Sequence, residues 1–170
     1  MPIAQTLIPE FDEEMASTRR ALERVPTGKA AWKPHPKSMP LGRLATLLAE
    51  LPSWALNAVT LDELDIAPPG GPPFQPVILE TGKEILDLLD RNVQATRKAL
   101  TATSDAEFVK PWTFKYGGRT MWTKTKRDVY RNVLNHLVHH RGQLTVYLRM
   151  NDVPVPAIYG PSADEQGFRP

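Results

Sequence analysis

Residues 135–150 read NHLVHHRGQLTVYLRM, and three of the chain's four histidines fall inside this one stretch. Histidine is only a middling helix former, so three on one predicted helix call for a reason. Metal ligation, acid–base work and polar positions at a helix edge are all open on this stretch alone. The predicted helix runs from about Thr125 to Met150. At about 100° per residue, Val129, Val133, Leu137, Leu144, Tyr147 and Leu148 share one arc. His140 lies about 20° from the centre of that arc and His136 about 60°, so both face the core side. His139, about 120° away, faces outward.

His136 and His140 stand at i and i+4, the spacing at which two imidazoles on one face can converge on one ion. An inward imidazole must also satisfy both a donor and an acceptor. Gln143 extends the same line and can supply a hydrogen bond. A bare H-x-x-x-H is common in ordinary helices, where the histidines are hydrogen-bonded core residues. His35 and His139 read as surface residues, and Arg141 and Arg149 as a solvated flank.

Working outward, three more segments carry a helical stripe. In PEFDEEMASTRRALERVP (9–26), Phe11, Met15, Thr18, Leu22 and Val25 step by three and four, with Pro9 in the first turn and Pro26 as the stop. Ser38 is the expected N-cap of a second helix, in which Leu44, Leu48, Leu51, Ala55 and Val59 share a face and Pro52 introduces a kink. Thr81 and Glu84 form a T-x-x-E capping box for a third helix. Its stripe is Ile85, Leu88, Leu89 and Val93, and it runs to about Ala102. In KPWTFKYGGRTMWTK (110–124) two aromatic, threonine-rich stretches flank Gly117-Gly118, a two-residue hairpin signal. The expected fold is an all-α four-helix bundle with a small β-hairpin before the last helix. It forms a single domain over residues 1–170, with an extended proline-rich tail from about residue 152.

The bulk numbers exclude several function classes. With 21 Lys and Arg against 19 Asp and Glu, the net charge of +2 gives no basic stripe for nucleic acid. Zero cysteines exclude disulfides, thiolate metal sites and a cysteine nucleophile. No apolar run reaches the roughly twenty residues of a membrane span, and the N-terminus turns acidic where a signal peptide is apolar. A cytoplasmic location is the default expectation. Trp112, Phe114, Tyr116 and Trp122 read as an exposed aromatic patch, which together with the resemblance below points to a homodimer.

LNHLVHHRGQLTVYLRMNDVPVPAIYGPSADE (134–165) resembles the last helix and tail of the DinB-like (YfiT-type) metalloenzyme family, and WKPHPKSMPLGRLATLLAELPSW (32–54) resembles its second-helix region. The resemblance spans about Leu7 to Glu165. It implies a four-helix bundle, often dimeric, with a divalent metal, commonly nickel or zinc, in a pocket between helices. It implies one histidine ligand from the second helix and an H-x-x-x-H pair from the fourth, here His136 and His140. Relatives include transferases and isomerases that use low-molecular-weight thiols, and many members have no established reaction. The second-helix ligand should follow L-G-x-L-A-T, at position 47, and that residue is leucine. Two imidazoles alone make a poor site, since catalytic zinc takes three protein ligands and a water. Glu50 is the nearest replacement, but it lies about 120° from the centre of its helix's apolar arc, against about 60° for Leu47.

Two functions follow as expectations. One is a metal-dependent enzyme of the thiol-transferase or hydrolase type with a degenerate site. His136 and His140 are its ligands, and Leu47, Glu50, Gln143 and Tyr147 line the pocket, with Arg141 on weaker grounds. The other is a non-catalytic bundle whose residual pocket serves a binding or stress-associated role. The substrate is not legible in either.

Overall fold

The computed structural model describes residues 1–72 and 75–166. The described chain is mostly helical, with α1 (Ile3–Leu22), α2 (Leu41–Thr60), β1 (Glu63–Asp65), α3 (Gly82–Ala102), the short α4 (Asp105–Phe108), β2 (Pro111–Tyr116), β3 (Arg119–Thr125) and α5 (Lys126–Met150). The buried stripes of the long helices meet in one apolar core that includes Phe11, Leu44, Leu48, Leu89, Leu137 and Leu144. Helix α2 packs on α3 and α5, and α1 packs on the other side of the same two helices.

Helix α1 starts well before the expected first turn and carries Pro9 inside it. The start is set from a distance: the Ile3 amide donates to the Asp105 carboxylate at 2.7 Å. Helix α2 begins after Pro40 with no side-chain cap, so Ser38 does not act as the expected N-cap. Pro52 lies inside α2, and α3 supplies polar contacts beside it. Asn92 Nδ2 donates to the Ala49 carbonyl at 2.8 Å and Thr96 Oγ1 to the Pro52 carbonyl at 2.6 Å. Gly42 leaves no room for a side chain, because an added Cβ would stand 2.8 Å from the Cβ of Ala30. The capping box of α3 is complete, with Thr81 and Glu84 exchanging both bonds. Helix α5 is capped by Thr125, whose hydroxyl accepts from the Asp128 amide.

The expected two-stranded hairpin is part of a three-stranded mixed sheet in the order β1-β2-β3. Strand β1, from the connector after α2, runs parallel to β2, and β2 and β3 are antiparallel. A pairing at |i−j| of fifty residues leaves no local signature, and three residues of β1 are too few for a readable alternation. Gly117 and Gly118 have φ of 61° and 77°, the left-handed pair that a tight primed turn requires. The Asp65 carboxylate accepts from the amides of Ala67, Gly117 and Gly118, tying β1 to the hairpin tip.

The tail is laid on the helices. Arg24 pairs with Glu165 at 2.5 Å and Arg149 pairs with Asp164. Arg141 corrects its reading as a solvated flank. Its side chain is 2% exposed and pairs with Glu14 at 2.6 Å, while Nη2 donates to the Tyr159 hydroxyl at 2.5 Å. A helical wheel cannot show this, because the partners come from α1 and the tail.

Candidate functional site

The histidine pair sits where α5 faces α2. Both rings are half-buried, and His136 Nε2 lies 2.8 Å from His140 Nε2. His140 Nδ1 is 2.7 Å from Gln143 Oε1, and Gln143 Nε2 is 3.1 Å from His139 Nε2. With the Gln143 amide set with Oε1 toward His140 and Nε2 toward His139, this chain of contacts assigns the protons. An amide oxygen only accepts, so His140 carries its proton on Nδ1 and donates it to Gln143. His140 Nε2 is then an acceptor, and His136 donates to it from Nε2. The lone pair left over is on His136 Nδ1. His139 is exposed and joins only through Gln143, as expected for an outward position.

Burial and neighbouring groups favour the neutral form of both rings. Burial lowers the pKa of His136 below its ordinary value, and the neighbouring His140 and His139 add to that. Burial also lowers His140; Gln143 acts against it, while His139 and Arg43 act with it. Arg43 is a residue sequence reasoning did not flag. It projects from α2, pairs with Glu50 at 2.8 Å, and donates to the Val77 carbonyl.

The opposing face of α2 carries Arg43, Leu47, Glu50 and Trp54, one helical row at steps of four and three. Trp54 meets the His136 ring edge-on at 5.6 Å, and the Arg43 charge acts on His140. Leu47 is buried between them and offers no lone pair. Glu50 has an electron pair to give, but Arg43 holds it. Among the described residues, no group of three or more His, Cys, Asp or Glu is placed to hold a metal ion. The donor set is therefore two imidazoles beside a guanidinium. That does not fit a catalytic metal centre with three protein ligands.

Beside the pair a cavity of about 630 Å³ opens between α2, the sheet and α5. That is the usual size of a small-molecule site. One wall is aromatic: Trp112, Phe114 and Trp122 lie nearly parallel, with centroids 5.2–6.5 Å apart. Alternation along β2 puts Trp112 and Phe114 on one face, and Phe114 pairs with Trp122 across the ladder. These residues were expected as an exposed patch, yet Trp112 is buried and its two neighbours are half-buried. Tyr116 alone is strongly exposed; it is the last residue of β2, next to the Gly117-Gly118 turn. Trp54 and His136 complete the rim on the helix side. Helical spacing alone could have found the contribution of α5, since Val129, Val133 and His136 lie on one row; the sheet wall depends on pairing.

Of the pocket residues expected from sequence, Gln143 touches both His140 and His139. Tyr147 is elsewhere: its ring meets Trp32 edge-on at 5.4 Å and its hydroxyl donates to the Met39 carbonyl.

A family model for the DinB superfamily matches residues 10–144. Among solved structures, a DinB-like protein from Bacillus cereus ATCC 10987 is similar, with a TM-score of 0.71 and 22% identity, over 93% of this chain and 98% of that one. A DinB-like protein (YjoA) from Bacillus subtilis is similar with a TM-score of 0.66 and 17% identity, over 88% of this chain and 95% of that one. No curated protein sequence matches.

Proposed function

The chain belongs to the DinB superfamily, and from that premise we propose that it is a small-molecule-binding protein whose ligand occupies the aromatic cavity. The histidine pair is its polar end and holds a divalent ion only weakly. One observation carries this reading: His136 is at once a wall of the cavity and the hydrogen-bond partner of His140. The pair is satisfied without metal, because each imidazole proton already has an acceptor. Titration of untagged protein with nickel or zinc is expected to show weak binding. Leu47→His is expected to raise affinity at least about a hundredfold, since even indirect support of a ligand is worth 10–100-fold. Tight stoichiometric binding by the wild type would overturn the reading and make Glu50→Gln the next variant.

A second reading, a metal-dependent enzyme of the thiol-transferase or hydrolase type, is favoured by one distance. Two imidazole nitrogens on one tetrahedral ion, each at about 2.0–2.1 Å, sit about 3.3 Å apart, within about half an ångström of the 2.8 Å of the pair. This reading needs Glu50 to leave Arg43 and act as third ligand. The mutual packing of α1, α2, α3 and α5 supports a four-helix bundle forming a single domain. A homodimer is supported by apolar side chains on the hairpin, Tyr116 at 57% and Met121 at 58% exposed. Sedimentation at micromolar concentration is expected to give a dimer, and a pure monomer would refute it. No helix among the described residues is long and apolar enough to cross a membrane.

A further inference from the structure

We infer that the cavity takes an uncharged, flat aromatic molecule with one hydrogen-bond donor, its rings against Trp112, Phe114 and Trp122 and its donor on His136. The inference rests on the cavity being the binding site and names what it selects.

Flatness follows from the wall. Trp112, Phe114 and Trp122 are within 33° of parallel and pack against one another at 5.2–6.5 Å, so a flat aromatic ring can extend this stack or meet the ring edges. A cage for a quaternary ammonium needs rings facing one another around a centre, whereas these three lie side by side and near-parallel.

Lack of charge follows from the lining. Among the described residues no Lys or Arg lines the cavity, so an anion would be desolvated without a partner there. Asp65 is the one carboxylate on the wall, and three backbone amides already satisfy it. The indole N–H of Trp112 is committed to the Asn57 carbonyl at 3.2 Å.

The donor follows from the proton assignment. With His136 Nε2–H given to His140, the ring's other nitrogen offers a lone pair. A hydroxyl or secondary amine on the ligand can donate to it, whereas a ligand presenting only acceptors cannot.

Three of the chain's four tryptophans line the cavity, but a fluorescent ligand gives the cleaner readout. N-phenylnaphthylamine is uncharged, aromatic and carries one N–H. Anilinonaphthalene sulfonate has the same skeleton with a negative charge. Full-length protein in EDTA is titrated with each, with phenyltrimethylammonium as the cationic competitor. N-phenylnaphthylamine is expected to bind one to one and at least tenfold more tightly than the sulfonate, without displacement by the cation. Val133→Phe, which fills the cavity from α5, is expected to abolish binding while the circular dichroism melt is retained. His136→Phe keeps a ring but removes the acceptor, and should weaken binding about tenfold. A preference for the sulfonate or the cation overturns the ligand class and leaves the cavity as the site. Binding that survives Val133→Phe, or no binding of any probe by folded protein, overturns the site as well. Nickel titration is a separate arm, so its result does not bear on these outcomes.

Discussion

Arg141 shows what one buried charge does here. Its guanidinium bridges α1 to the tail through Glu14 and Tyr159. Removing one member of a buried pair leaves the other charge unpaired and costs about 3–5 kcal/mol. Arg141→Leu is therefore expected to lower Tm sharply, and Arg141→Leu with Glu14→Leu to recover part of the loss; single losses that simply add in the double variant would show that the pair is not coupled. Tyr130 is the opposite case. Its hydroxyl is buried with no protein partner among the described residues, and burial pushes its pKa well above the ordinary value. Tyr130→Phe removes an unsatisfied group and is expected to be neutral or to stabilise by up to about 1 kcal/mol in denaturant unfolding.

At the scale of elements, the ends of the helices are set by different means. Helix α3 carries its own signal, and Thr81→Ala is expected to cost about 1 kcal/mol in chemical denaturation by removing the hydroxyl half of the capping box. Helix α1 depends on Asp105, 102 residues away in sequence, for its first amide. The hairpin depends on two positive φ values. Gly117→Val is expected to lower Tm, whereas Gly117→Asn should be tolerated, since asparagine enters this region more easily than a β-branched residue. An added Cβ at position 117 meets nothing within 4 Å, so a loss with valine reports backbone strain and not a clash.

At the scale of the molecule, the tail is held to the helices by carboxylates. The Arg149 guanidinium holds Asp164 below its ordinary value of 3.8, with the Val155 amide adding to it. The Ala157 amide, followed by Arg24, holds Glu165 below 4.5. A carboxyl lowered by folding stabilises the docked state above its ordinary pKa, and that contribution is lost as pH falls through the lowered value. The tail is therefore expected to stay docked from neutral pH to about pH 5 and to loosen below about pH 4. Hydrogen exchange at the Val155 and Ala157 amides, which donate to these carboxylates, measures it. Exchange that already accelerates at pH 6 would contradict the assignment.

The sequence by itself determined the α3 and α5 boundaries, the buried stripes, the Gly117-Gly118 turn and the approach of His136 to His140. All of these rest on interactions within a few residues, where helical period, capping and turn chemistry dominate. The resemblance singled out Leu47, which the structure buries on the α2 row that faces the histidine pair. Tertiary structure alone decided the rest. Arg43 came into play only when α2 faced α5, and it occupies Glu50, the one carboxylate on that row. Arg141 became buried because α1 and the tail both meet it. Strand β1 joined a hairpin some fifty residues away, and that pairing helped turn an apparent surface patch into a cavity wall. Each of these depends on which elements become neighbours, and that is set by the packing of several faces at once rather than by any local pattern.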